Sequence, residues 1–191
     1  MLNTMGKLLE PAAGRLLIAH PWLPDPNFRR AVVLLCEHED DQGSYGLILN
    51  RPLPFLISEV VEEPLRFDAR LFAGGPVQRD TLHIIHTHGE LIDASYPVTD
   101  HLYRGGELED IQGLLCSKGI DHPGFRFFVG YSGWGPGQLM SEFEAGDWVV
   151  APARFDFIFE TPPEELWKRA LKMLGGEYAV LAHFPADPRL N

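Results

Sequence analysis

The residue types best suited to chemistry are concentrated in residues 125–143, which read FRFFVGYSGWGPGQLMSEF. An apolar run leads into four glycines within eight residues, and an amphipathic run follows. Four side chains in or beside this glycine-rich turn are able to contact a ligand: Tyr131, Ser132, Trp134 and Gln138. Glycine-dense connections between a strand and a helix often hold ligands. We therefore predict that the segment is either a binding site or a structural corner.

Ser132 is the residue of this segment that could act as a nucleophile. It follows a predicted strand and precedes a predicted helix, as a nucleophile elbow requires. Asp156 (or Asp147) and His183 follow in an order that fills a catalytic triad. The elbow motif is G-x-S-x-G, however, and Trp134 stands where its second glycine belongs. A serine-type hydrolase using Ser132 is therefore an alternative function and not the main prediction.

The segment also matches neither of two common phosphate-binding motifs. A Walker A loop needs G-x-x-x-x-G-K-[ST], and residues 125–143 contain no lysine. The last three glycines give G-x-G-x-G, which departs from the dinucleotide fingerprint. In the structural interpretation, the glycines permit a tight turn, Trp134 fills the core and Gln138 braces the turn.

Neither a metal site nor a cofactor site is predicted. The acidic turn at residues 37–41 lacks the spacing of a calcium-binding loop. Strand alternation puts His86 and His88 on one face and His83 on the other. No carboxylate or cysteine completes a zinc site with them at a recognisable spacing. We expect ordinary strand histidines at the surface.

Length and composition predict one domain that does not bind nucleic acid directly. The chain has 191 residues, within the usual range of about 100–200 for a domain, and we assign residues 1–13 to a loose lead-in and 14–191 to a single domain. The net charge of −11 opposes a general phosphate-binding surface.

Cysteine usage and hydropathy predict a cytoplasmic protein outside the membrane. Cys36 and Cys116 form no C-x-x-C pair and both lie in apolar contexts, so we expect buried free thiols. The apolar runs are far shorter than a membrane span, and no signal-peptide core is apparent near residue 1.

Strands must position most of these residues. Apolar runs predict strands at residues 14–20, 28–37, 45–49, 71–77, 81–87, 125–129, 147–151 and 155–159. Helical periodicity predicts helices at residues 56–67, 107–118 and 161–174, the last with a capping box from Thr161 to Glu164, and residues 178–183 form a strand or docked tail. Few, interspersed helices favour an α+β fold, or a mixed α/β sheet, over a doubly wound parallel sheet.

Four motifs occur in a fixed order along the chain. They are AHPWLPDPNF at residues 19–28, GLILNRP at 46–52, GGPV at 74–77 and GYSGWGPGQLMSEF at 130–143. The last is similar to G-[YW]-[SA]-G-W-x-x-G-Q-L-x-x-E, and the others are similar to A-x-P-x-[LM]-x-D-P-x-F, G-L-[VI]-[LV]-N-R-P and G-G-P-V. The chain thereby resembles the YqgE/AlgH family of small bacterial proteins, from about residue 14 to its end.

This resemblance implies helices around a strongly bent, partly barrel-like sheet, and it carries over no catalytic residues. Some family members are labelled transcriptional regulators, yet the sequence shows no helix-turn-helix and no basic recognition helix. We predict a non-catalytic binding or regulatory protein with a small ligand or a protein partner; a transcription-associated regulator is a further alternative. The candidate ligand-facing residues are Asn50, Arg51, Gly74, Gly75, Tyr131, Ser132, Trp134 and Gln138.

Overall fold

A computed structural model describes residues 9–118 and 124–184, which contain ten strands and four helices. The strands are β1 Arg15–Ala19, β2 Val32–Glu39, β3 Gly43–Ile48, β4 Pro52–Leu56, β5 Arg70–Ala73, β6 Val77–His86, β7 Ser95–Thr99, β8 Leu102–Gly105, β9 Phe125–Trp134 and β10 Trp148–Pro152. The helices are α1 Leu108–Lys118, α2 Gln138–Glu144, α3 Pro163–Leu174 and α4 Gly176–Leu181. Part of the predicted lead-in, residues 1–8, lies outside the described residues.

Strand β9 is the centre of the sheet. The strand order is β10-β1-β2-β3-β9-β6-β8-β7, and β5, which carries β4, also pairs with β9. The first half of β9 pairs with β5 in parallel and with β6 in antiparallel orientation, and its last three residues pair with β3. A strand that changes partners along its length joins the two halves of a strongly curled sheet. The predicted α+β fold with a partly barrel-like sheet is confirmed.

The predicted turn over residues 130–134 is wrong, because β9 continues through it and the turn is confined to residues 135–137. Pairing with β3 extends the strand despite its glycines. Gly130 has φ of +69°, and a Cβ there would lie 2.9 Å from the carbonyl oxygens of Gly75 and Val77. Glycine therefore lets β9 bend where it changes partners.

Strand β2 is buried on both faces, as its continuous apolar run predicted. Val32, Leu34 and Cys36 enter a first core, which α3 and α4 cover. Val33 and Leu35 enter a second core on the opposite face, which α2 covers through Leu139. A third core lies between β5, β6, β9 and α1. The sheet is thus enclosed between layers, and β2 and β3 form an antiparallel hairpin.

Two local predictions near chain turns were wrong. Residues 56–67 form only a 3₁₀ turn, Ile57–Glu59, in place of a helix. The preceding residues pair with β5, and the Ile57 amide donates to the Ala69 carbonyl (2.9 Å). Residues 155–159 form a π-helical turn, Asp156–Glu160, and not a strand. The adjacent residues Phe157 and Ile158 both enter the first core, which the alternating faces of a strand do not allow.

Three predictions at the second half of the chain also need correction. Thr161 forms no capping box, because its hydroxyl donates to the Asp156 carbonyl (2.9 Å) and Pro162 is the N-cap of α3. The segment predicted as a last strand or docked tail is helix α4. Cys116 is exposed on α1, whereas Cys36 is buried as predicted.

Candidate functional site

The predicted ligand-facing residues do not share one pocket. Tyr131 and Trp134 line one groove, and Arg51 and Gly75 line a separate cleft. The other four candidate residues form hydrogen bonds within the protein: Asn50, Gly74, Ser132 and Gln138.

Asn50 connects two segments of backbone at the end of the β2–β3 hairpin. Its Oδ1 accepts a hydrogen bond from the Val32 amide (2.9 Å), and its Nδ2 donates to the Arg30 carbonyl (2.8 Å). The side chain is buried. Asn50 therefore fixes the start of β2 through hydrogen bonds within the protein.

Ser132 has a structural hydrogen bond in place of catalytic partners. It is completely buried, and its Oγ donates to the Gly74 carbonyl (3.0 Å). The acid proposed for a triad, Asp156, pairs instead with Arg154 through a 2.9 Å hydrogen bond, which lowers its pKa. These contacts favour a structural role for Ser132 over the nucleophile that a hydrolase would need.

The Gly-Gly-Pro motif lets two backbones pass at close range. A Cβ at Gly74 would lie 2.2 Å from the Gly130 carbonyl oxygen, and one at Gly75 would lie 2.1 Å from the Tyr131 carbonyl oxygen. The Gly74 carbonyl also accepts from the Ile48 amide (2.9 Å). Both glycines are therefore required for packing against β9.

Glu142 anchors helix α2 and was missed as a functional residue of the motif. Its Oε2 accepts from the indole nitrogens of Trp134 (2.9 Å) and Trp148 (2.8 Å), and its Oε1 accepts from Gln138 Nε2 (2.9 Å). Gln138 Oε1 in turn accepts from the Gly135 amide (3.0 Å). The spacing in the quoted motif, glutamate four residues after glutamine, was the available signal, because such residues meet on one helix face. The network fixes the buried Trp134 beside the groove.

The aromatic groove is a depression of about 660 Å³ between strands β2, β3, β6, β8 and β9. Its lining includes Glu37, Tyr45, His83, Arg104, Tyr131 and Trp134. A smaller depression of about 360 Å³ continues toward α1 and shares Tyr45, His83 and Arg104 with the groove. Strand pairing brings these residues together from four different parts of the chain.

A chain of hydrogen bonds fixes the floor of the groove. The Thr81 hydroxyl donates to the Gln78 carbonyl (2.7 Å), so at its 2.8 Å contact with His83 Nε2 it accepts. His83 Nε2 therefore carries the proton, and Nδ1 accepts from the Tyr45 hydroxyl (2.9 Å). Burial, with the nearby Arg104 charge, lowers the pKa of His83, and burial raises the pKa of Tyr45. Both groups are neutral at pH 7.

Three rings form the surface above this chain. The ring centroids of Tyr45 and Tyr131 are 5.2 Å apart, and that of His83 lies 5.6 Å from Tyr45 and 5.5 Å from Tyr131. The guanidinium of Arg104 lies 5.8 Å from the Tyr45 ring centroid and forms an ion pair with Glu37. The groove thus combines aromatic faces with one cation, Arg104, and two anions, Glu37 and Glu39.

The histidines of the predicted cluster make contacts within the protein. Among the described residues, no three His, Cys, Asp or Glu side chains are placed to hold a metal ion. His86 is completely buried, contrary to the expected surface position. Its Nδ1 accepts from the His88 amide (3.2 Å), its Nε2 is 3.1 Å from Ser95 Oγ, and its ring stacks on Phe125.

Acidification is expected to destabilise the protein through His86. Burial and the neighbouring His88 lower the pKa of His86 from its ordinary 6.5 to about 4. Between these two pKa values, His86 is protonated in the unfolded chain and neutral in the folded protein. The free energy of unfolding therefore rises with pH, and this stability is lost as the pH falls. We expect a loss of about 2–3 kcal/mol between pH 7 and pH 4 from this group. Urea unfolding at each pH measures it.

The variant His86→Gln isolates this contribution. Its free energy of unfolding is expected to depend less steeply on pH than that of the wild type between pH 4 and pH 7. His101→Gln, which changes an exposed histidine, is expected to keep the wild-type slope. Equal slopes in all three proteins would contradict the assignment to His86.

Comparisons with a family model and with related sequences identify the same family. The AlgH-like family model matches residues 16–179. A UPF0301 protein of Chlorobaculum tepidum is 42% identical over 185 residues, covering 97% of each chain. A UPF0301 protein of Chlorobium luteolum is 45% identical over 181 residues, covering 94% of this chain and 95% of the relative.

Solved structures agree with this result. The fold is similar to the crystal structure of protein DIP2367 from Corynebacterium diphtheriae, with a TM-score of 0.75, 24% identity, and coverage of 93% and 95% of the two chains. It is also similar to the solution structure of the AlgH protein from Pseudomonas aeruginosa, with a TM-score of 0.71, 28% identity, and coverage of 97% and 98%. The chain belongs to the AlgH-like family.

Proposed function

We propose that the protein is a non-catalytic binding protein with a regulatory role, and that the aromatic groove holds its small ligand. The observation that carries this proposal is the ring surface of Tyr45, His83 and Tyr131 beside the Arg104 guanidinium. Both nitrogens of His83 already hold hydrogen bonds within the protein, so the imidazole is a poor general base. Aromatic faces and a guanidinium are well suited to non-covalent recognition.

The groove favours a ligand that contains a ring and carries polar groups. Its volume of about 660 Å³ falls in the range of about 300–1,000 Å³ that small-molecule sites occupy. The tyrosine rings can stack on a base or pack against a sugar face. Arg104 and Glu37 can bind polar groups at the rim. Nucleotides and sugar phosphates combine these properties.

We place this function in the cytoplasm. The free thiols of Cys36 and Cys116 fit a reducing compartment. Within the part of the chain that the structure describes, no helix has the length and apolar character needed to cross a membrane. A net charge of −11 disfavours direct DNA binding, so regulation through a ligand or a protein partner has better support than a DNA-bound regulator.

Thermal unfolding with a panel of nucleotides and sugar phosphates tests the proposal. A ligand that binds the native state at about 100 times its Kd is expected to raise Tm by roughly 5–10 °C. Tyr131→Ala is expected to weaken that ligand by about fivefold or more, because it removes a ring face worth about 1 kcal/mol. Phe55→Ala, which removes an exposed ring outside the groove, is the matched control.

Two results would overturn the proposal. One is the absence of a thermal shift with every ligand together with the absence of a copurifying protein partner. The other is a ligand whose affinity Tyr131→Ala and Phe55→Ala leave equally unchanged, since that ligand would bind outside the groove.

A further inference from the structure

A second cavity, which shares no lining residue with the aromatic groove, carries a positive charge. This arginine cleft has a volume of about 350 Å³, and its only charged lining residues are Arg51 and Arg79. Its walls include the apolar side chains of Ile48, Leu53 and Val129. The net charge of the protein is −11, so a cleft whose charged residues are both arginines differs from the rest of the molecule.

Arg51 is fixed in place and retains hydrogen-bonding capacity. Its guanidinium donates to the carbonyls of Asn50 (3.3 Å) and Arg29. A guanidinium has five N–H donors, so about three remain for another acceptor. Burial lowers the pKa of Arg51, which shows that its charge is partly desolvated. A nearby anion would compensate this loss of hydration.

Arg79 reaches the cleft from an irregular part of β6. The pairing of β6 with β9 shifts register between Val77 and Leu82, so Arg79 lies in an irregular segment of the strand. Gln78, immediately before it, has φ of +44°, a left-handed conformation that is unfavourable for a residue other than glycine. Irregular strand segments such as β-bulges redirect side chains and are frequent beside binding sites.

Neither arginine has a counter-ion among the described residues. Across residues 9–118 and 124–184, no ion pair involves Arg51 or Arg79. The Gly75 backbone also lines the cleft, at a position where a side chain would collide with Tyr131. The cleft therefore offers cationic donors together with apolar walls.

We propose that the arginine cleft binds a small organic anion, with its carboxylate or phosphate head at Arg51 and Arg79 and its apolar body against Ile48, Leu53 and Val129. Guanidinium groups form strong, charge-assisted hydrogen bonds with both kinds of head. The apolar walls distinguish such a ligand from an inorganic ion, because burying a short alkyl chain adds favourable free energy. This site is independent of the ligand proposed for the aromatic groove.

Titration of the full chain with four probes, followed by ¹H–¹⁵N NMR and calorimetry, tests the site. The probes are hexanoate, hexyl phosphate, inorganic phosphate and the neutral hexanol. We expect one of the two alkyl anions to bind with a Kd of about 1 mM or tighter, and to bind at least about fivefold more tightly than hexanol. Perturbed amides are expected at Ile48, Arg51, Leu53, Ala73 and Gly75.

The variant Arg79→Gln tests the charge without disturbing the fold, because Arg79 is exposed. The substitution is expected to weaken the binding of the alkyl anion by about fivefold or more, because it removes a charge-assisted hydrogen bond. Arg66→Gln removes an equal charge from an exposed position outside the cleft and is expected to change nothing. Arg51→Gln should weaken binding further if the variant folds, although Arg79→Gln alone suffices for the test.

The comparison of probes gives results that support or overturn the proposal. A preference for hexyl phosphate or for hexanoate supports an anion site and identifies its head group. Equal binding of hexanol, equal affinity in Arg79→Gln, or no saturable binding of either alkyl anion would overturn it. None of these results depends on the aromatic groove, so failure here is distinguishable from failure of the proposed function.

Discussion

Replacing Glu142 with alanine is expected to lower the free energy of unfolding by about 2–4 kcal/mol, and Tm by roughly 5–15 °C. The carboxylate accepts three hydrogen bonds, two of them from the indole nitrogens of Trp134 and Trp148. Both tryptophans are buried. Without Glu142 these donors lose their acceptor in a site that water reaches poorly, which is costly. Thermal and urea unfolding measure the change.

Two further variants make this prediction specific. Glu144→Ala removes an exposed carboxylate from the same helix and is expected to change the free energy of unfolding by no more than about 0.5 kcal/mol. Glu142→Gln keeps one side-chain oxygen and is expected to lie between the wild type and Glu142→Ala. If Glu142→Ala and Glu144→Ala were equally stable, the network would have no energetic role.

Replacing Arg126 with alanine is expected to lower the free energy of unfolding by about 3–5 kcal/mol. The side chain is 7% exposed, and its guanidinium donates to the carbonyls of Leu49 (2.6 Å) and Ile158. It also lies 3.9 Å from the centroid of the Phe72 ring. The substitution leaves two buried acceptors without their donor and opens a cavity beside an aromatic ring. Urea unfolding is the direct measurement.

The control for Arg126 is an arginine at the surface. Arg169, on α3, pairs with Glu165 one helical turn away, and both side chains are more than half exposed. Its replacement by alanine is expected to cost no more than about 0.5 kcal/mol. A loss below about 1 kcal/mol for Arg126→Ala would contradict the prediction. It would mean that the cost of burying the charge offsets the hydrogen bonds, which occurs for some buried ions.

The sequence predicted elements whose own residues determine their structure. The continuous apolar run of β2 predicted a strand, and the periodicity of α1 predicted a helix. The predictions were wrong where pairing with residues distant in the sequence determines the local conformation. Residues 132–134 are strand because they pair with β3, which lies far earlier in the chain. Residues 56–67 avoid helix because pairing with β5 and burial of Ile57 override local propensity.

The candidate site was only partly accessible from the sequence for the same reason. Tyr131 and Trp134 stand in a recognisable motif, and both line the aromatic groove. Tyr45, His83 and Arg104 complete it from three other strands, and each alone is an unremarkable strand residue. Their meeting depends on strand order and register, which short-range patterns do not encode. Asn50 and Ser132 are also polar residues of glycine-rich segments, but their side chains form hydrogen bonds with backbone groups inside the protein.

The bend of β9 at Gly130 has a thermodynamic consequence. Val129 lines the arginine cleft and Tyr131 lines the aromatic groove, so one glycine separates the two cavities along the chain. A ligand that alters this bend from one side changes the shape offered to a ligand on the other. The resulting coupling is reciprocal, because each ligand must change the affinity of the other by the same factor.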